Sequence, residues 1–97
     1  MHIITECMPT IHLLIKGKVQ GVFYRQTAKE VADAEGIKGW VRNTENGDVE
    51  VIASGSKEAL QAFIDWCNIG PTRAKVEDVQ VTPVAEQSFK AFEVKRG

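Results

Sequence analysis

The feature that most constrains this 97-residue sequence is a hairpin written into its middle. Between Ile37 and Asn43, the residues Ile37, Gly39 and Val41 alternate with Lys38, Trp40 and Arg42. Between Asp48 and Ala53, Val49, Val51 and Ala53 alternate with Asp48 and Glu50. Alternation with period two marks strands with one buried face, and Asn46-Gly47 between them is a pair that accepts the positive φ of a tight hairpin turn. Two strands cannot bury that face by themselves, so the flanking sequence must supply the rest of a core.

The flanks do so on both sides. Ile11, Leu13, Ile15 and Val19 share one parity while His12, Lys16 and Lys18 share the other, which predicts a strand over 11–17 with Leu14 as the exception on its wet face. Tyr24, Ala28, Val31 and Ala32 then recur at helical spacing, predicting a helix over 23–35 with Gly36 as a left-handed C-terminal cap. After the hairpin, Ser56 is a good N-cap with Glu58 in the first turn. Leu60, Phe63, Ile64 and Cys67 face inward before Gly70-Pro71 stops the helix. Val76, Val79, Val81 and Val84 change parity, which predicts a strand with a bulge around Glu77-Asp78, and Phe92 and Val94 make a short last strand. The order β-α-β-β-α-β plus a short C-terminal strand is an α+β, ferredoxin-like (split βαβ) sandwich, with two helices on one face of a mainly antiparallel sheet. Its length suits one domain, expected over 11–97, preceded by a lead segment over 1–10.

Charge narrows the choice of partners. Twelve Lys and Arg against 13 Asp and Glu, spread evenly over the two halves, leave a net charge of -1 and no global field for a nucleic acid or an anionic membrane. Any anion handled here is expected to be small and held locally. The same fold serves RNA-recognition domains, but the segment from Asp48 to Ala53 lacks aromatics and carries Asp48 and Glu50 where a base-stacking platform would be. No run approaches the ~20 apolar residues of a membrane span, and the first ten residues lack the pattern of a signal peptide, so a cytoplasmic protein with no membrane partner is expected. Cys7 and Cys67 have no zinc-site spacing. A disulfide between them is allowed but not demanded, and Cys67 reads as core.

The topology brings two segments together. In a split βαβ unit the first two strands run parallel with the third between them, so the loop after Lys16 and the residue Asn43 emerge on one side, about 10 Å apart. The loop, from Ile15 to Arg25, joins a strand to a helix N-terminus, where unpaired N–H groups and the helix dipole favour an anion. Gly17 and Gly21 are expected to let the backbone aim its N–H groups inward, and Arg25 adds a planar bidentate donor. Phe23 and Tyr24 are expected to pin the loop and the helix start. The glycine spacing matches neither a Walker loop nor a dinucleotide loop, and by itself fits a Gly-rich turn with a solvated Arg slightly better than an anion site.

Together with the run from Gly39 through Trp40-Val41-Arg42-Asn43 to Val49 and Gly55, the run from Gly17 through Val19-Gln20-Gly21-Val22 to Arg25 resembles the two signatures of the acylphosphatase family. Gly70-Pro71 followed by a Val-rich strand is similar too, and the resemblance covers 11–97. It implies a ferredoxin-like fold and hydrolysis of acyl (carboxyl) phosphates to carboxylate and inorganic phosphate, with no metal and no cofactor. It also implies that the N–H groups of Val19, Gln20, Gly21, Val22 and Phe23, with the Arg25 guanidinium, bind the phosphoryl group while Asn43 holds the attacking water. The chemistry agrees, because a carboxylate leaves without being protonated and an amide can orient water but has no proton equilibrium near neutrality. A monomer is expected. The alternative is a non-catalytic domain of the same kind that binds such anions without turning them over. Lys16, Lys18 and Arg42 are expected near the pocket as exposed charge, and His2 and His12 as surface residues.

Overall fold

The computed structural model describes residues 8–96. Seven elements follow one another: β1 Thr10–Lys18, α1 Tyr24–Glu35, β2 Lys38–Asn43, β3 Val49–Ser54, α2 Lys57–Ile69, β4 Lys75–Val84 and β5 Phe92–Val94. The sheet order is β4-β1-β3-β2-β5, antiparallel except for the last pair, β2 and β5. This is the ferredoxin-like arrangement that the alternation predicts. Because β3 lies antiparallel between β1 and β2, those two strands run parallel and end on the same side. Most of the predicted lead segment, including His2 and Cys7, lies outside the described residues.

Each strand delivers its apolar parity to one side. Leu13 and Ile15 of β1, Val41 of β2, and Val49 and Val51 of β3 are fully buried, and they meet Ala28 and Ala32 of α1 and Leu60, Phe63 and Cys67 of α2 in one core. Both helices therefore cover the same face. Phe92 of β5 completes the layer by setting its ring edge-on to Phe63, with the ring centres 5.9 Å apart. Burial pushes the Cys67 thiol up to about 12, as befits a small core side chain.

The helix ends follow their sequence signals. Ser56 Oγ accepts the Ala59 N–H at 3.1 Å, the N-cap bond expected of it, and Gly36 closes α1 with φ 72. At the end of α2 the Cys67 carbonyl would look four residues ahead to Pro71, which has no N–H. Tyr24 supplies the missing donor, its hydroxyl lying 2.7 Å from that oxygen while its ring sits 5.1 Å from the ring of Trp66.

The predicted bulge is present and reassigns a glycine. The β1–β4 register runs Lys16 to Asp78 and then Gly17 to Val76, leaving Glu77 as the extra residue. A Cβ on Gly17 would collide with the Lys75 carbonyl oxygen. Gly17 therefore serves the close approach of β4, and the backbone turn falls to Gly21 (φ 73) and its neighbours.

Candidate active site

The β1–α1 loop is fastened from below. Val19 and Val22 are buried in the core, so the backbone between and beyond them is carried on anchored side chains. Gly21 and Phe23 take left-handed conformations, φ 73 and φ 63, and α1 starts at Tyr24. The start of α1 has no side-chain cap and no acidic residue in its first turn. Its leading N–H groups and the positive end of its dipole are thus left to the solvent side of the loop, in contrast to α2 with Ser56 and Glu58. Tyr24 pins the helix start as expected. Phe23 does not, because the residue is 76% exposed.

Arg25, the second residue of α1, is held by its other end. Its Nη1 donates to the Lys95 carbonyl at 3.0 Å, just past β5. That partner is neutral, so the guanidinium charge is oriented without being cancelled. Asn43, the last residue of β2, stands opposite. Its Oδ1 is buried and has no hydrogen-bond partner among the described residues. A buried acceptor left unpaired costs roughly 1–3 kcal/mol, so its presence at one site asks for a reason.

Arg25 and Asn43 share the walls of one hollow. About 280 Å³ is enclosed by Val19, Gly21, Phe23, Arg25, Asn43 and Arg96, among others, and a more open space beyond it is bordered by Arg42, Thr44 and Asn46. Five of the seven predicted site residues thus line the hollow. Gln20 and Val22 do not: Val22 turns into the core, and the Gln20 amide leaves the hollow to donate to the Thr44 and Asp48 carbonyls at 2.9 and 2.7 Å. The expectation that Lys16, Lys18 and Arg42 are simply exposed charge holds for Lys18 alone. Lys16 pairs with Asp48 at 3.2 Å, and Arg42 with Glu50 at 2.6 Å. His12 joins that second pair, with its Nε2 2.7 Å from Glu50, on the sheet face away from the helices. Burial alone would raise the Glu50 carboxyl, but the hydrogen bonds from His12 and Arg42 and their charges outweigh it and hold the carboxyl below its usual range. Two contributors carried no sequence signal: the Lys95 carbonyl, and Arg96, which borders the hollow beside Arg25.

A family model described as Acylphosphatase matches residues 11–94, from β1 through β5. The chain belongs to the acylphosphatase family. It is 51% identical over 75 residues to an acylphosphatase of Pyrobaculum arsenaticum, covering 76% of this chain and 79% of that one. An acylphosphatase of Pyrobaculum aerophilum is 49% identical over 89 residues, covering 90% and 94%. Among solved structures, an acylphosphatase from Coxiella burnetii superposes with a TM-score of 0.88 at 33% identity, over 91% of this chain and 93% of that one. The two runs that resemble the family's signatures lie on the two walls of the hollow, Arg25 on one and Asn43 on the other.

Proposed function

We propose that this acylphosphatase-family chain hydrolyses acyl phosphates to a carboxylate and inorganic phosphate, with no requirement for a metal ion or other cofactor. The observation that carries the reading is that Asn43 and the charge-bearing Arg25 line the same hollow from opposite walls. The Asn43 amide both donates and accepts hydrogen bonds, so it orients a water beside a phosphoryl group held on the other wall.

In this reading the N–H groups of residues 19 to 23 and the Arg25 guanidinium hold the phosphoryl oxygens. Fixed donors of this kind stabilise the charge of a loose phosphoryl-transfer transition state. The water oxygen forms the new bond to phosphorus as the bond from phosphorus to the acyl oxygen breaks, and that electron pair leaves on the carboxylate. The proton from the water passes to a phosphoryl oxygen, since Asn43 cannot accept it. A leaving carboxylate whose parent acid has a pKa near 4 needs neither an acid nor a Lewis acid to depart. The substrate and product are small molecules, and neither nucleic acid nor membrane enters the reading. A monomer in the cytoplasm is the corresponding state.

The test is hydrolysis of acetyl phosphate in the presence of a chelator by the parent, Arg25→Ala, Arg25→Lys and Asn43→Ala. Turnover by the parent that falls by roughly 10²-fold or more in each variant is expected. Asn43→Ala should keep its affinity for inorganic phosphate while Arg25→Ala loses it. Phosphate binding by the parent without any turnover would leave a binding module in place of an enzyme. Near-full activity of Arg25→Lys would remove the bidentate role, because a point charge cannot reproduce the planar fork.

A further inference from the structure

We propose that Phe23 selects the acyl half of the substrate, favouring acyl phosphates whose acyl group is aromatic or otherwise bulky and apolar; the proposal rests on the hydrolase reading above. Phe23 is the one non-glycine residue with positive φ among the described residues, and it is 76% exposed while Phe63 and Phe92 are buried. Both properties are unfavourable. A left-handed backbone strains any side chain, and an exposed ring gains nothing from the core. Glycine at this position would relieve both, so the ring is retained against local preference at the lip of the candidate site.

The sheet order gives the ring a task. Phe23 borders the hollow that holds Arg25 and Asn43, and it also borders a second hollow of about 420 Å³ formed with Val22, Thr27, Pro71, Thr72 and Arg73. Asn43 ends β2, which lies on the β3 side of β1, whereas residues 71–73 lead into β4 on the opposite side of β1. Phe23 is therefore the wall shared by a hollow on the Asn43 side and a hollow on the β4 side. In an in-line displacement the attacking water and the leaving oxygen occupy opposite sides of phosphorus. With the water on the Asn43 side, the leaving acyl group is directed toward Phe23 and the Pro71 hollow. The Phe23 ring and Pro71 give that direction an apolar lining, which rewards an apolar acyl group and offers little to a methyl.

The experiment compares kcat/KM for benzoyl phosphate and acetyl phosphate in the parent, Phe23→Gly and Phe23→Asn. Glycine and asparagine both accept the left-handed backbone, so the loop is kept while the ring is removed. Any loss from a disturbed cradle acts on both substrates and cancels in their ratio. The benzoyl-to-acetyl ratio is expected to fall about tenfold in both variants, the scale of a lost aromatic contact. An unchanged ratio in both variants, with both substrates still hydrolysed, overturns the role of Phe23 and leaves the hydrolase reading standing. Failure of the parent to hydrolyse either substrate overturns that reading and this proposal with it.

Discussion

The side-chain amide of Gln20 is hydrogen-bonded to the backbone of Asp48, its Nε2 lying 2.7 Å from the carbonyl oxygen. The same nitrogen donates to Thr44 at 2.9 Å, and the Thr44 N–H in turn donates to the Asp48 carbonyl at 2.9 Å. One residue of the β1–α1 loop therefore grips both ends of the β2–β3 turn, one position beyond Asn43. The tie links the backbone of the β1–α1 loop to the turn beside Asn43. Gln20→Ala is expected to lower kcat by roughly 10²-fold, since misplacement on the order of 1 Å is enough for that. Its effect should nearly vanish in an Asn43→Ala background. Equal losses in both backgrounds, measured by a double-mutant cycle, would show that the tie does not act through Asn43.

Tyr24→Phe isolates a single buried bond. The ring contacts with Trp66 persist, while the Cys67 carbonyl loses its donor and cannot turn to Pro71 for another. Urea denaturation should show a loss of about 1–3 kcal/mol with an unchanged m-value.

Glu50 predicts how stability responds to acid. Its folded-state pKa lies below the unfolded value, so its contribution is present above the usual carboxylate range and is lost as pH falls through the folded value. Glu50→Gln should therefore be less stable than the parent near neutrality, by about 1 kcal/mol for such a half-exposed cluster. The two proteins should converge once pH falls below the folded-state value of Glu50. A gap that widens toward acid pH would reverse the sign of the argument.

The rate of hydrolysis should be nearly flat between about pH 5 and 8, because unperturbed carboxylates, Arg and amides keep one state there. His12 is the one histidine among the described residues, and it faces Glu50 on the open side of the sheet rather than the hollow. A limb near pH 6.5 in kcat/KM would place an imidazole in the reaction.

The strands and helices were legible because their signals are periodic and local. The alternation around Asn46-Gly47, the Ser56 cap and the parity break at Glu77 each report on a few neighbouring residues, and each reappears as a hairpin, an N-cap bond and a bulge. The convergence of the Arg25 loop with Asn43 followed from topology. What sequence could not show were contacts made across long separations by groups without a signature. A backbone carbonyl such as that of Lys95 is present at every residue, and a glutamine such as Gln20 has no spacing rule for reaching a turn 24 residues away. Gly17 and Phe23 were misread for one shared reason. A turn-forming glycine and a core aromatic are the commonest uses of those residue types, yet here the glycine yields to a neighbouring strand and the aromatic is turned outward.

The hydrogen bond from Arg25 to Lys95 spans 70 positions of sequence. A chain growing from its N-terminus has the loop, α1 and the hairpin in hand long before β5 emerges to dock beside β2. Until then the guanidinium lacks this anchor. The orientation of Arg25 is thus a late acquisition of folding, one that waits on the docking of a strand 70 positions away.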